Sequence, residues 1–248
     1  SLGRVPGISV RNRQNFAQDL QISSRGFGAR AGFGVRGVRL IADGIPATMP
    51  DGQGQAASFS LGSAERIEVL RGPFSSLYGN APDGVIQIFT ADGPREPAAT
   101  ADFSAGSHGL VKRGLRYGGQ HGPVNALVDF SRFDTDGYRD HSAARREQLN
   151  AKLRLDTGEG GSLTLVVNAL DQPETRDPLG LTAAQVAANP RQAVAAARAF
   201  NTRKSVLQSQ GGLVYDLRVT ASDRLQARAY FGDRRVSQFL AIPLMAQN

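Results

Sequence analysis

Gly26, Gly28 and Gly32 first suggest a phosphate-cradling loop, because such loops need residues whose backbone can approach a ligand closely. Their spacing is G-x-G-x-x-x-G and no strand-then-helix context surrounds them, so tight turns with positive φ account for them better. The 3 histidines, His108, His121 and His141, are scattered over turn and loop sequence with no carboxylate at ligand spacing, and no metal site is expected from them. The chain has 0 cysteines, which removes thiol chemistry, a disulfide framework and a Cys-based zinc site together. No Ser/His/Asp arrangement or poised carboxylate pair stands out. Neither enzyme chemistry nor a cofactor is expected.

The net charge of +7 and pI near 10.3 raise the question of a nucleic-acid partner. The arginines are spread along the chain, alternate with apolar residues and are not interleaved with aromatics as a base-stacking platform requires, so nucleic acid is not expected. The longest apolar runs, such as Leu163 to Val167, are far shorter than the roughly 20 residues of a membrane-spanning helix. The opening Ser1 to Gly7 carries no apolar core of a secretory signal, so a signal was removed or the chain begins partway into a longer protein.

The elements that would position any site fall into two patterns. Up to about Thr90 the sequence is glycine-rich, with short β-type segments broken by turns, and it reads as a compact mixed α/β unit. Val38 to Ala42 reads as a strand ending at an Asp43-Gly44 turn, and Glu65 to Leu70 and Gly84 to Thr90 as further strands. Pro73 to Tyr78 suits one helical turn, with proline at its start and Gly79 at its end. The segment Ala91 to Pro97, with two prolines and a glycine, is a linker. Two domains are therefore expected, residues 1–95 and 96–248.

After the linker the pattern becomes period-2 alternation. Leu149, Ala151, Leu153 and Leu155 alternate with Gln148, Asn150, Lys152, Arg154 and Asp156, and they predict a strand pairing antiparallel with one from about Leu163 to Leu170. Similar alternation surrounds Val124 to Ser131, Leu213 to Val219 and Leu225 to Phe231. About seven strands of about 9 to 12 residues are expected, joined alternately by tight turns and long polar loops as in an outer-membrane barrel. The long loops would run from about Asp134 to Ala144 and from Gln172 to Arg203, the second with a possible helix in Thr182 to Phe200. A soluble β-sandwich is the alternative, but its strands are usually about 5 to 6 residues long. A sheet with two open edges cannot span a membrane alone, so the chain is expected to be a piece of a larger barrel.

Ser24-Arg25-Gly26-Phe27-Gly28, Leu40 to Pro46 and above all Ala64 to Gly79, with its order Ile-Glu-Val, Arg-Gly-Pro and Leu-Tyr-Gly, resemble the plug of TonB-dependent receptors. The resemblance runs residue by residue from about Val5 to Thr90 and continues only as a barrel pattern. It implies a mixed α/β plug domain followed by part of an antiparallel transmembrane β-barrel of about 22 strands, in the outer membrane of a Gram-negative bacterium. It also implies active import of a scarce solute, with a TonB energy-coupling protein, an iron chelate or similar small molecule and outer-membrane lipid as partners. The Asp43 to Gln55 segment looks most like the ferric-dicitrate type. Where the family commonly has Gly-Gly before its last plug strand, this chain has Asp83-Gly84. The family's N-terminal coupling segment is not in these residues.

By the same resemblance, Arg25 and Arg71 would form plug–barrel ion pairs with glutamates beyond residue 248. A guanidinium fork suits a bidentate carboxylate; solvated surface arginines remain the alternative. Arg30, Phe33 and Arg36, with Met49, Asp51, Gln53 and Gln55, would form the outward-facing apex where substrate binds, and Arg13 matches a third apical position. Arginine and glutamine supply the donors that an anionic, oxygen-rich ligand needs; exposed polar loop residues are the alternative. A passive porin or an adhesin with an accessory N-terminal domain is the rival function, and it predicts an open lumen. A soluble nucleotide-dependent enzyme would need helices between parallel strands, which the second half does not offer.

Overall fold

The structure, a computed structural model, describes residues 2–11, 15–29, 31, 34–47, 49, 52–72, 75–79 and 81–242, with only the backbone at 75 and 76. Strands β1 (Ile8–Arg11) and β2 (Gln21–Ser24) form an antiparallel pair. Then come β3 (Val38–Ala42), β4 (Ile45–Pro46), β5 (Ala64–Arg71), the single helical turn α1 (Ser75–Tyr78) and β6 (Gly84–Thr90). The four strands make one sheet in the order β4-β3-β6-β5, with β3 parallel to β6 and the other pairs antiparallel. This is the mixed α/β unit that the first 90 residues predict. The strands β1, β2 and β4, too short for a periodic signal, were not among the sequence expectations.

Local chemistry explains the turns. Asp43 and Gly44 have φ of 48° and 80°, and positive φ at both central residues is the hairpin turn that matches strand twist. Asp43 holds that uncommon conformation by accepting two hydrogen bonds from Thr90. Gly79 closes α1 with φ of 73°; Pro73, expected at its start, lies outside the described residues. Alternation along β3 sends Val38 and Leu40 to a core with Ile8, Ile22, Val35 and Ile86, and Ile41 to a second cluster with Ala81 and Val85.

The second half is one antiparallel sheet of seven strands in chain order: β7 (Ala98–Ala105), β8 (Val111–His121), β9 (Val124–Thr135), β10 (Ala144–Gly158), β11 (Gly161–Arg176), β12 (Arg203–Arg218) and β13 (Arg224–Phe239). Leu149, Ala151, Leu153 and Leu155 pair with Ala169, Val167, Leu165 and Leu163, as expected. Leu153, Leu165, Leu213 and Ala229 are successive cross-strand neighbours, and the three leucines are exposed. Such an apolar row on the outer face suits lipid and would be a liability in water.

The strands β10 to β13 are longer than expected, 15 or 16 residues. The polar stretch Gln172 to Arg176, expected to open a long loop, stays in the ladder. A register shift between Gln172 and Thr175 accommodates Pro173, which has no N–H to donate. The long connections, residues 136–143 and 177–202, fall at one end of the sheet and the tight turns between β8 and β9, β10 and β11, and β12 and β13 at the other. The longer loop carries two short helices, α2 (Ala183–Ala188) and α3 (Ala195–Ala199), rather than one. Thr182 and Gln185 close a reciprocal capping box at the start of α2. No helix among the described residues is long and apolar enough to cross a membrane, which says nothing about crossing by strands.

Candidate functional site

The polar face of the large sheet is where the first unit docks. On β10, Gln148 Nε2 donates to the Ala57 and Phe59 carbonyls at 2.9 and 3.0 Å, Asn150 Nδ2 to Ser63 Oγ and Thr90 Oγ1 at 2.7 and 3.0 Å, and Lys152 Nζ to the Thr90 carbonyl at 2.8 Å. On β8 and β9, Arg116 reaches the Gly62 carbonyl at 2.8 Å and Asp129 accepts the Ser60 hydroxyl at 2.6 Å. On β12 and β13, Gln210 and Arg228 donate to the Pro46 and Gly44 carbonyls at 2.7 and 2.8 Å. The strand residues in these bonds occupy the polar positions of the alternation, and they satisfy loop carbonyls that burial would otherwise leave unpaired. At Gly212 a Cβ would overlap Ile45 Cδ1, so glycine there lets the unit sit close to the wall. The linker is clamped as well: Asn125 exchanges two hydrogen bonds with Gly93, and Asp92 pairs with Lys152 at 2.8 Å.

At the long-loop end, the segment from Asn15 to Asp19 is held by the wall. Asn15 Nδ2 and Gln18 Nε2 donate to the two oxygens of Asp177 at 2.7 and 2.8 Å, and Phe16 packs on Phe133 with ring centroids 5.3 Å apart. Asp19 Oδ2 lies 3.2 Å from Lys204 Nζ, with side chains 7% and 11% exposed. Arg146 and Arg234 interact electrostatically with the same carboxylate. Arg139, in the loop between β9 and β10, binds the carbonyls of Pro178, Leu179 and Gln192 and so fastens the two long loops together. Burial holds its pKa below the ordinary arginine value, against the pull of Asp177 and Asp140.

Of the residues singled out from sequence, Gln55 is buried and accepts a hydrogen bond from Arg234 Nη2. Met49 is exposed and lines a cavity of about 420 Å³ with Arg39, Pro46, Gln208, Gln210 and Arg234. The Gln53 carbonyl accepts the Met49 N–H at 2.8 Å, and Arg36 is exposed. Arg13, Arg30, Phe33 and Asp51 lie outside the described residues. Arg25 and Arg71 are exposed and form no ion pair among the described residues; Arg71 Nη1 donates to the Pro6 carbonyl at 2.9 Å. Sequence reasoning missed Asp19, Asp177, Arg146, Lys204 and Arg234. Those on the strands occupy polar positions like many others, and nothing in one dimension says which of them meets the segment from Asn15 to Asp19.

A mixed α/β unit seated on the polar face of a lipid-facing antiparallel sheet is the architecture of a plugged β-barrel. Residues 1–85 match the family model described as TonB-dependent Receptor Plug Domain. The vitamin B12 transporter BtuB of Vibrio vulnificus (strain CMCP6) is 30% identical over 107 residues, which cover 43% of this chain and 17% of that protein. The ferric yersiniabactin uptake receptor FyuA from Yersinia pestis superposes with a TM-score of 0.78 at 20% identity, covering 96% of this chain and 38% of that one. The copper transporter OprC gives 0.69 at 16% identity, covering 93% and 33%. This chain therefore spans only a fraction of the relatives' length. Residues 1–85 thus match a TonB-dependent receptor plug domain, and the chain as a whole shares the fold of the plug and adjoining barrel wall of the uptake receptors it superposes on. The proteins it resembles are named as transporters and uptake receptors.

Proposed function

We propose that the parent protein actively imports a scarce solute, a ferric chelate or similar small anionic complex, driven by the TonB energy-coupling protein. The plug corresponds to residues 1–95 and the barrel to 96–248. The observation that carries this reading is the docking of the plug on the lumen face through polar contacts to β8, β9, β10, β12 and β13. An obstructed lumen has no use in passive diffusion and needs work to open. The transporters for vitamin B12, ferric yersiniabactin and copper among its relatives support uptake of a metal complex. Met49, Gln53, Gln55 and Arg36, together with Arg13, Arg30, Phe33 and Asp51, form the substrate apex in this reading; Arg25 and Arg71 tie plug to wall.

The test is uptake of radio-iron chelates by cells carrying the full-length receptor, with and without the coupling protein. Accumulation that requires the coupling protein and an energised inner membrane is expected. Equal uptake without the coupling protein would favour a porin.

A further inference from the structure

At the long-loop end of the lumen, one carboxylate serves three cations. Lys204 pairs with Asp19, and Arg146 and Arg234 share that same counter-charge. Neither arginine has an ion pair of its own among the described residues. Arg146 Nε donates to the neutral Gln172 Oε1 at 3.2 Å, and Arg234 donates to the neutral oxygens of Ser58, Gln55 and Gln208. A surplus of positive charge in a poorly hydrated place costs free energy unless an anion joins it.

A second observation points the same way. Thr175 is 0% exposed, and its Oγ1 has no hydrogen-bond partner among the described residues. It sits directly across from Lys204 in the β11–β12 register, so both side chains stand on the lumen face. A buried hydroxyl is normally satisfied, and one left open beside a cationic cluster is a donor for an incoming oxygen ligand.

We propose that Lys204, Arg146, Arg234 and Thr175 form an anion-exchange site, in which Asp19 is the resident occupant and a carboxylate of the imported solute displaces it. The occupant already seated there is a carboxylate, and the arginine forks suit a planar two-oxygen acceptor. A cavity of about 420 Å³, lined by Arg234 and Gln208 together with Met49, adjoins one member of the cluster. Exchange has a consequence for the plug, because Asp19 belongs to the segment that Asp177 and Phe133 also hold. A ligand that takes Lys204 from Asp19 removes one anchor of that segment, so occupancy and loosening of the plug become one coupled equilibrium. The inference rests on the reading of the parent as a solute receptor.

The experiment is a calorimetric titration of the purified full-length receptor with tricarballylate, its uncharged trimethyl ester and inorganic phosphate. Tricarballylate should bind and the ester should not. Asp19→Asn, which removes the competitor while keeping its shape, should tighten tricarballylate binding about tenfold, and Lys204→Gln should weaken it by about as much. Unchanged or weaker binding by Asp19→Asn would overturn the exchange, and so would equal binding of the ester. Tighter binding of phosphate would overturn the carboxylate assignment. If Lys204→Gln fails to assemble, the direction of the Asp19→Asn effect still decides. No energy coupling enters this measurement, so its failure would leave the import reading standing, whereas normal binding without coupled uptake would defeat the import reading alone.

Discussion

Asp43 grips Thr90 twice, its two carboxylate oxygens accepting the Thr90 backbone N–H at 2.8 Å and the hydroxyl at 2.6 Å. The same hydroxyl accepts from Asn150 Nδ2 of the wall, and the Thr90 carbonyl accepts from Lys152. One buried threonine thus joins a plug turn, the last plug strand and the barrel. Thr90→Val should cost about 1 to 3 kcal/mol by leaving two polar partners short of a bond. The midpoint for urea unfolding of the plug inside the folded receptor should fall, and Thr90→Ser should restore most of it. A midpoint equal to wild type for Thr90→Val would show that this junction carries no stability.

Gly84 and Gly26 separate crowding from backbone strain. Gly84 has φ of 129° and a Cβ there would overlap the Leu70 carbonyl oxygen, while Gly26 has φ of 86° with nothing within 4 Å. Gly26→Ala should cost about 1 kcal/mol, from the positive φ alone. Gly84→Ala must also push β5 from β6, and its urea midpoint should drop clearly further. Equal midpoints would contradict the packing around β6.

The Asp83 carboxyl is buried, and that burial raises its pKa above the ordinary carboxylate value. From about pH 4 up to the raised value, the folded plug holds a proton that the unfolded chain has lost. Plug stability should therefore decline as pH rises through that window and then level off. Asp83→Asn should remove this decline, measured as the difference in urea midpoint between the two ends of the window. A decline as steep in Asp83→Asn as in wild type would assign it to other groups.

The barrel wall was legible because a sheet between lipid and water must alternate, so Leu149 to Asp156 declare both strand and face. The plug was legible mainly through motifs such as Arg71-Gly72-Pro73, and its hairpin β1–β2 was not, since four-residue strands carry no period. The C-terminal end of β11 was misread because Gln172 to Arg176 is polar like the loop that follows, and the bulge that absorbs Pro173 leaves no local sign. The contacts that make the site, such as Asp19 with Lys204 at a separation of 185 residues, depend on which strand faces which loop. Gln55 was found because its loop was singled out as a whole; its partner Arg234 was not.

Arg25 and Arg71 are proposed to hold the plug rather than to bind ligand. If they pair with wall carboxylates outside these residues, Arg25→Ala and Arg71→Ala in the intact receptor should raise passive leakage of a small solute and leave ligand affinity within about twofold. Abolished ligand binding with unchanged leakage would move both residues to the substrate site.

In the proposed reading the plug sits on the lumen face and must yield for import. Ser60 Oγ and Asp129 Oδ1 meet at 2.6 Å across that interface, and these 248 residues contain 0 cysteines. The most direct test is the double substitution Ser60→Cys with Asp129→Cys in the full-length receptor, oxidised in intact outer membranes and assayed for chelate uptake. A disulfide that blocks coupled uptake should form, and a reductant should restore uptake. Failure of the pair to cross-link, or full uptake through the cross-linked protein, would contradict it.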